Sequence, residues 1–256
     1  MKNKKHLIIA SPRSGSTNYQ LYLQIEYDLH GMGEIDFGII RSPLNVTNNV
    51  VVPVNVPYSE NKIAEQKREI WNNGRGAALK MFPANIEEPN DNLVGPMVDF
   101  KEIKKHYYEY IRTADVIHFL QRDDLDAQIL SNYFLRTNNI GGYEITDYNI
   151  LVAVVRETLI QRAMVKYYRE FIKDINNTAE IIDVKTTDLS KLIKTPELRK
   201  LGLGPNKAQH PYVNKIMERD VYKRPLYKML HEVTEQQTIE LCNRYNNKPW
   251  SAYIEK

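Results

Sequence analysis

The stretch from Leu7 to Gln24, LIIASPRSGSTNYQLYLQ, constrains the fold more than any other part of the chain. Apolar residues lead into a turn of small and polar ones, Ser11-Pro12-Arg13-Ser14-Gly15-Ser16-Thr17, and a helical pattern follows. A strand entering a helix through a turn this short is the opening unit of a parallel α/β sheet. The same unit is an anion site. Its backbone N–H groups point inward, and the helix N-terminus adds the positive end of its dipole. Gly15 lets the main chain come close to an anion where a Cβ would obstruct it. Arg13, Ser14, Ser16 and Thr17 add side-chain donors. The competing reading, an ordinary strand-to-helix connection, loses ground because strand, turn and helix all occur together.

Short apolar runs continue to alternate with longer helical patterns. HLIIAS (6–11), AALKMFP (77–83), VIHFLQR (116–122) and EIIDVKT (180–186) read as strands. Behind the first turn, Leu21, Ile25 and Leu29 recur every four residues, with Gly31 as a C-terminal stop. Further helices are expected over 59–74 with a Ser59 cap, 99–113 with an Asp99 cap, 125–137, 147–175 and 234–245. The expected architecture is α/β: a P-loop-like three-layer fold with a central, mainly parallel sheet flanked by helices, in one domain over 1–256. Two irregular segments, 41–58 and 191–225, interrupt the rhythm with prolines, asparagines, glycines and basic residues. They are the candidate acceptor or lid elements. Tyr107, Tyr108, Tyr110, Tyr167 and Tyr168 fall at helical spacing and read as packing rather than as a sugar platform.

Charge narrows the partners. The 35 basic and 32 acidic residues leave only +3, too balanced to argue for nucleic acid or a membrane surface. The single cysteine, Cys242, excludes an internal disulfide and a cysteine-built zinc site, and reads as a buried, inert thiol. No apolar run approaches the roughly 20 residues that a membrane span needs. The stretch MKNKKHLIIASPRSG is not a signal-peptide pattern, so the chain reads as cytoplasmic. In that setting the Asn45-Val46-Thr47 and Asn176-Asn177-Thr178 sequons carry no meaning. No His, Asp or Glu cluster has metal-ligand spacing.

Set against the phosphate-loop pattern GxxxxGK[ST], the chain has Ala10 for the first glycine and Ser16 for the lysine. That lysine reaches the β- and γ-phosphates, and the Ser/Thr after it holds magnesium. Thr17 is present and the lysine is not, which disfavours nucleoside triphosphate hydrolysis. Lys80, inside the apolar run AALKMFP, costs desolvation unless it meets an anion at the sheet's end; the alternative is a lysine reaching to solvent. VIHFLQR delivers Arg122 to the C-terminal end of its strand, where open α/β sheets bind ligands. Ser131 follows nine residues later on the next helix. The alternative for Arg122 is a surface arginine paired with Asp123, Asp124 or Asp126.

The first turn, together with Arg122-x-Asp124-x-x-x-Gln128-x-x-Ser131, resembles the sulfotransferase superfamily, and is most similar to its bacterial trehalose-type members. The resemblance covers roughly residues 6–37 and 76–134, is weak over 40–75 and is thin after 190. The Arg-to-Ser spacing is one residue longer than in cytosolic and Golgi-type enzymes. The resemblance implies 3′-phosphoadenosine 5′-phosphosulfate (PAPS) as sulfuryl donor, no metal, and a small hydroxylated acceptor, a carbohydrate or glycolipid. It implies that Pro12, Arg13, Ser14, Gly15, Ser16 and Thr17 hold the 5′-phosphate and sulfuryl group, and that Arg122 and Ser131 grip the 3′-phosphate. The family's C-terminal Arg-Lys-Gly loop has only an imperfect echo in RKLGLG (199–204), with Lys207 and Lys215 as alternatives. A homodimer is expected by analogy with relatives alone.

For catalysis the same resemblance points to Glu34 in HGMGEIDF as base, matching a Gly-x-Pro-x-Glu-x-Phe-like segment, with the proline absent and the spacing one residue tighter. A dry pocket would raise such a carboxylate's pKa toward neutrality; a solvated loop glutamate is the alternative. Asp36 and His30 are fallbacks, although His30 also reads as a helix-end residue. Arg13 is expected to stabilise the leaving phosphate, and Lys80 to contact the sulfuryl group or acceptor. Two other functions stay open. A P-loop small-molecule kinase lacks its lysine, and only Asp183 could stand for its magnesium aspartate. A non-catalytic nucleotide-binding module of the same fold is the third reading.

Overall fold

Five parallel strands form the central sheet, and all four apolar runs belong to it. In a computed structural model, residues 3–34, 39–40, 54–55, 62–73, 76–83, 100–137, 148–185 and 220–254 are described. The strands are β1 (Lys5–Ala10), β2 (His30–Glu34), β5 (Ala77–Met81), β6 (Val116–Gln121) and β7 (Glu180–Lys185), in the order β2-β5-β1-β6-β7. Two short strands, β3 (Ile39–Ile40) and β4 (Val54–Asn55), pair antiparallel in a separate ribbon. The helices are α1 (Ser16–Tyr27), α2 (Lys62–Asn72), α3 (Phe100–Thr113), α4 (Leu125–Thr137), α5 (Tyr148–Ile175) and α6 (Asp220–Arg244), followed by a 3-10 turn at Pro249–Tyr253. Among the described residues no helix is long and apolar enough to cross a membrane.

The inner strands are short apolar runs because both of their faces are covered. Side chains alternate along a strand, so odd and even residues meet different layers. Leu7, Ile9, Leu79, Met81, Ile117 and Phe119 pack against Trp71 of α2, Tyr107, Tyr110 and Ile111 of α3, and Val165, Tyr168 and Ile172 of α5. Ile8, Ala10, Ala78 and Leu120 pack on the opposite face against Tyr19 and Leu23 of α1. This is the three-layer α/β arrangement expected from the sequence. A further core joins α4, α5, α6 and the 3-10 turn around Tyr133, Leu159, Leu230 and Trp250. The tyrosines act as packing: Tyr107, Tyr110 and Tyr168 are buried, and Tyr108 and Tyr167 are half-buried beside them.

Three local expectations are corrected. The first helix does not stop at Gly31. It ends at Tyr27, and Asp28 caps it in the left-handed region (φ 56°), its N–H bonding the Gln24 carbonyl. Gly31 lies instead within β2, where an added Cβ would stand 2.2 Å from the Gln24 carboxamide. His30 is accordingly the exposed first residue of β2 rather than a helix end. The last helix is longer than 234–245: it begins at Asp220, so residues 220–225 of the basic stretch are helical. The Ser59 and Asp99 caps, with Asp36, Lys207, Lys215 and RKLGLG, lie outside the described residues.

Candidate functional site

Chain direction selects one place on this sheet. From β1 the chain crosses to β2 at one edge, and from β6 it crosses to β7 at the other. Connections leaving neighbouring strands in opposite directions open a crevice at the strands' C-terminal ends, the usual ligand position in open α/β sheets. The turn after β1 and the segment after β6 form the two sides of that crevice. These are the Ser11–Thr17 turn and the stretch from Arg122 into α4.

The turn is wound through the left-handed region at two residues. Arg13 and Gly15 both have positive φ, 62° and 85°, and Gly15 is the N-cap of α1. The Ser14 N–H closes the bend on the Ser11 carbonyl at 3.3 Å, and the Tyr19 N–H bonds the Gly15 carbonyl at 3.0 Å. The first N–H groups of a helix have no acceptor within the helix. No acidic residue stands in the first turn of α1 to neutralise its dipole. Ser14 and Ser16 are buried, whereas Thr17 is exposed.

Cations surround this turn. Arg13 Nε donates to Ser131 Oγ at 3.0 Å, and Arg122 Nη1 donates to the Arg13 carbonyl at 3.1 Å. The Arg13–Ser131 contact and the Arg122–Arg13 contact thus join the amino-terminal and mid-chain elements directly. Arg122 is only 6% exposed and does not lie on the surface among its aspartates. Asp124, whose charge acts on it, uses Oδ1 to cap α4 at the Ala127 N–H, 2.9 Å away. Lys80 is 5% exposed, and its Nζ donates to Thr17 Oγ1 at 3.0 Å. It does not snorkel outward, because residue 80 faces α1. Burial lowers the pKa of Arg13. Burial also lowers that of Arg122, Asp124 opposes this, and the charges of Arg13 and Arg162 add to the lowering. Positive groups held this close repel one another, and an anion relieves the repulsion.

Glu34 occupies the last position of β2, in register with Lys80 across the pair. It is a strand residue and not part of a loop, and its backbone lies at the same C-terminal sheet edge as the turn. Gly33, just before it, has φ 69° where the β2–β5 register slips. His30 lies at the other end of β2, opposite Ala77, so it is not brought to the crevice. Gln20 of α1 ties that edge down by donating to the carbonyls of Gly33 (3.1 Å) and Ala78 (2.7 Å).

Two contributors escaped assignment from sequence. Gln128 belongs to the spaced pattern but carried no role there. It is fully buried, and its Nε2 donates to Ser11 Oγ (2.8 Å) and to the Pro12 carbonyl (2.6 Å). Arg162, in the middle of α5, is 4% exposed, and its Nη1 donates to the Arg122 carbonyl (2.5 Å) and to Gln128 Oε1 (2.9 Å). An arginine between the buried Leu159 and Val165 was the available signal, by the reasoning that singled out Lys80. Asp183, the candidate magnesium aspartate, is bound bidentate by Arg169 at 2.6 and 2.8 Å. Among the described residues no group of three or more His, Cys, Asp or Glu could hold a metal ion. Comparison of the chain with protein-family models, curated proteins and solved structures finds no match.

Proposed function

We propose that the protein is a sulfotransferase that moves the sulfuryl group of PAPS to a hydroxyl of a small acceptor, a carbohydrate or glycolipid. The observation that carries this reading is the Lys80 ammonium on Thr17 Oγ1, 3.0 Å away. In a phosphate loop of the kinase type, that hydroxyl holds magnesium. Here a protein cation takes the place beside it, so the turn meets its anion with lysine and arginine charge. Asp183 is engaged by Arg169, which favours this reading over a kinase that needs it as a magnesium ligand.

The donor set suits a ligand with more than one anionic group. In this reading the α1 N-terminus, Arg13 and Lys80 serve one group and Arg122 with Ser131 the other, in adjoining positions linked by the Arg13–Ser131 contact. A guanidinium has five N–H donors; among the described residues, Arg122 uses one on the Arg13 carbonyl. In this reading Pro12 through Thr17 hold the 5′-phosphate end, and Arg122 and Ser131 take the 3′-phosphate. When bound, PAPS supplies a sulfuryl group activated by its anhydride link to phosphate. In this reading Glu34 would take the proton of the acceptor hydroxyl as its oxygen bonds sulfur and the sulfur–oxygen bond to the 5′-phosphate breaks. Arg13 would stabilise the departing phosphate of adenosine 3′,5′-bisphosphate, and Lys80 would contact the sulfuryl group or acceptor.

Transfer of labelled sulfate from PAPS to a panel of sugars and glycolipids, in EDTA, tests the activity. Wild type should label at least one acceptor, and Glu34→Gln should bind donor normally but turn over at least about tenfold more slowly. Donor binding without transfer to any acceptor would instead favour a non-catalytic module.

A further inference from the structure

We infer that Gln128, braced by Arg162, is a positioning residue that fixes the anion turn in its binding shape before any ligand arrives. The inference rests on the preceding reading only in requiring that the turn take an anion. Its evidence is a closed set of contacts. A peptide unit carries its C=O and N–H in opposite directions, so a captured carbonyl dictates where the next amide points. The Pro12 carbonyl is captured by Gln128 and the Arg13 carbonyl by Arg122. With both carbonyls drawn toward α4 and β6, Arg13 is held in the left-handed region at φ 62°, which a non-glycine residue leaves unless its surroundings hold it there.

Gln128 can do this because its own carboxamide has one orientation. Arg162 Nη1, a donor only, lies 2.9 Å from Oε1, so Nε2 must face the turn. The same Nη1 bonds the Arg122 carbonyl at 2.5 Å, fixing the strand end from which the Arg122 side chain leaves. Arg162 therefore acts on the turn through Gln128 and through Arg122. Gln128 is uncharged, so its effect on anion affinity is one of shape and not of attraction.

The test uses the full chain, with inorganic pyrophosphate and adenosine 3′,5′-bisphosphate as probes in separate calorimetric titrations. Thermal midpoints of the ligand-free proteins are measured alongside. Gln128→Met should keep a folded protein yet weaken pyrophosphate about tenfold, as expected for loss of roughly one hydrogen bond's worth of preorganisation. Arg162→Lys retains the charge but not the fork that fixes Gln128, and should weaken pyrophosphate similarly. The double variant should lose less than the sum of the two single losses, because both variants break the shared Gln128 contact. In protein labelled with 15N-glycine, the Gly15 amide should shift in the ligand-free variants, a signature that a global loss of stability would not give. Pyrophosphate binding unchanged in folded Gln128→Met, or losses that simply add in the double variant, would overturn the inference. If wild type binds pyrophosphate but not the bisphosphate, the sulfotransferase reading falls and this one stands. If it binds neither, both fall.

Discussion

Arg122, just past the end of β6, and His118 within that strand carry opposite messages about charge. Arg122 is a buried cation whose guanidinium meets a backbone carbonyl, and in the proposed function an anion completes its surroundings. Arg122→Ala should weaken adenosine 3′,5′-bisphosphate by several-fold to a hundredfold, since a hydrogen bond to a charged group contributes about 1.5–3 kcal/mol; calorimetry reads the change. Four residues earlier, His118 is fully buried between His6 Nδ1 and the Tyr19 hydroxyl, each 2.9 Å away. Burial, and then the charge on His6, push its pKa down from 6.5 to about 3. Below pH 6.5 the unfolded chain gains a proton there that the fold refuses. The stabilisation is therefore complete above that pH and is lost as pH falls toward 3. At about 1.4 kcal/mol per pH unit, unfolding free energy should drop by roughly 3 kcal/mol between pH 6.5 and 4. Denaturant titrations at the two pH values check this, and His118→Gln should lose clearly less. Neither histidine was singled out in the sequence, because a lone histidine in an apolar run gives no sign of its partner 112 residues away.

Elements were legible where local chemistry and tertiary demand agree. Three of the four predicted strands are short, apolar and buried, so period and burial give the same answer, while β7 is a largely exposed edge strand marked by its Ile181, Ile182 and Val184. β2 was hidden because HGMGE has two glycines and no β-branched residue; it is a strand through its pairing with β5. The end of α1 was misread for a related reason. Glycine is the usual left-handed stop, but Asp28 takes that conformation, and Gly31 lies in β2, where a Cβ would displace the end of the Gln24 side chain. Gly15 is the glycine that the anion turn requires. At φ 85°, Gly15→Ala should destabilise the protein by about 1–3 kcal/mol and weaken anion binding together with it. Asn176, read from sequence as one of two sequons without meaning, proves to be a structural element. Its Nδ2 donates to the carbonyls of Ile111 and Ala114, and its Oδ1 accepts from the Thr178 N–H, the Thr178 hydroxyl and the Ala179 N–H. The nitrogen that a glycan would modify is thus engaged in the fold. Asn176→Ala strands two buried carbonyls and should cost at least about 2 kcal/mol in denaturant unfolding.

At the scale of the whole molecule, function depends on topology. The turn after β1 and the end of β6 are 105 residues apart from Thr17 to Arg122, and they meet because the chain reverses its direction of travel between those strands. The sequence carried both pieces and the sheet that joins them. It did not carry the bracing by Gln128 and Arg162, which exists only once α4 and α5 are packed. The central claim is that this junction binds a bis-phosphorylated adenosine using protein cations alone. Calorimetric titration of the wild-type chain with adenosine 3′,5′-bisphosphate in EDTA, beside ATP with magnesium, tests it most directly. The account predicts saturable binding of the bisphosphate without metal, with unfolding stabilised by about 2.7 kcal/mol at a hundredfold excess over Kd, and little or no binding of magnesium ATP. Magnesium-dependent binding of ATP with no response to the bisphosphate would contradict it.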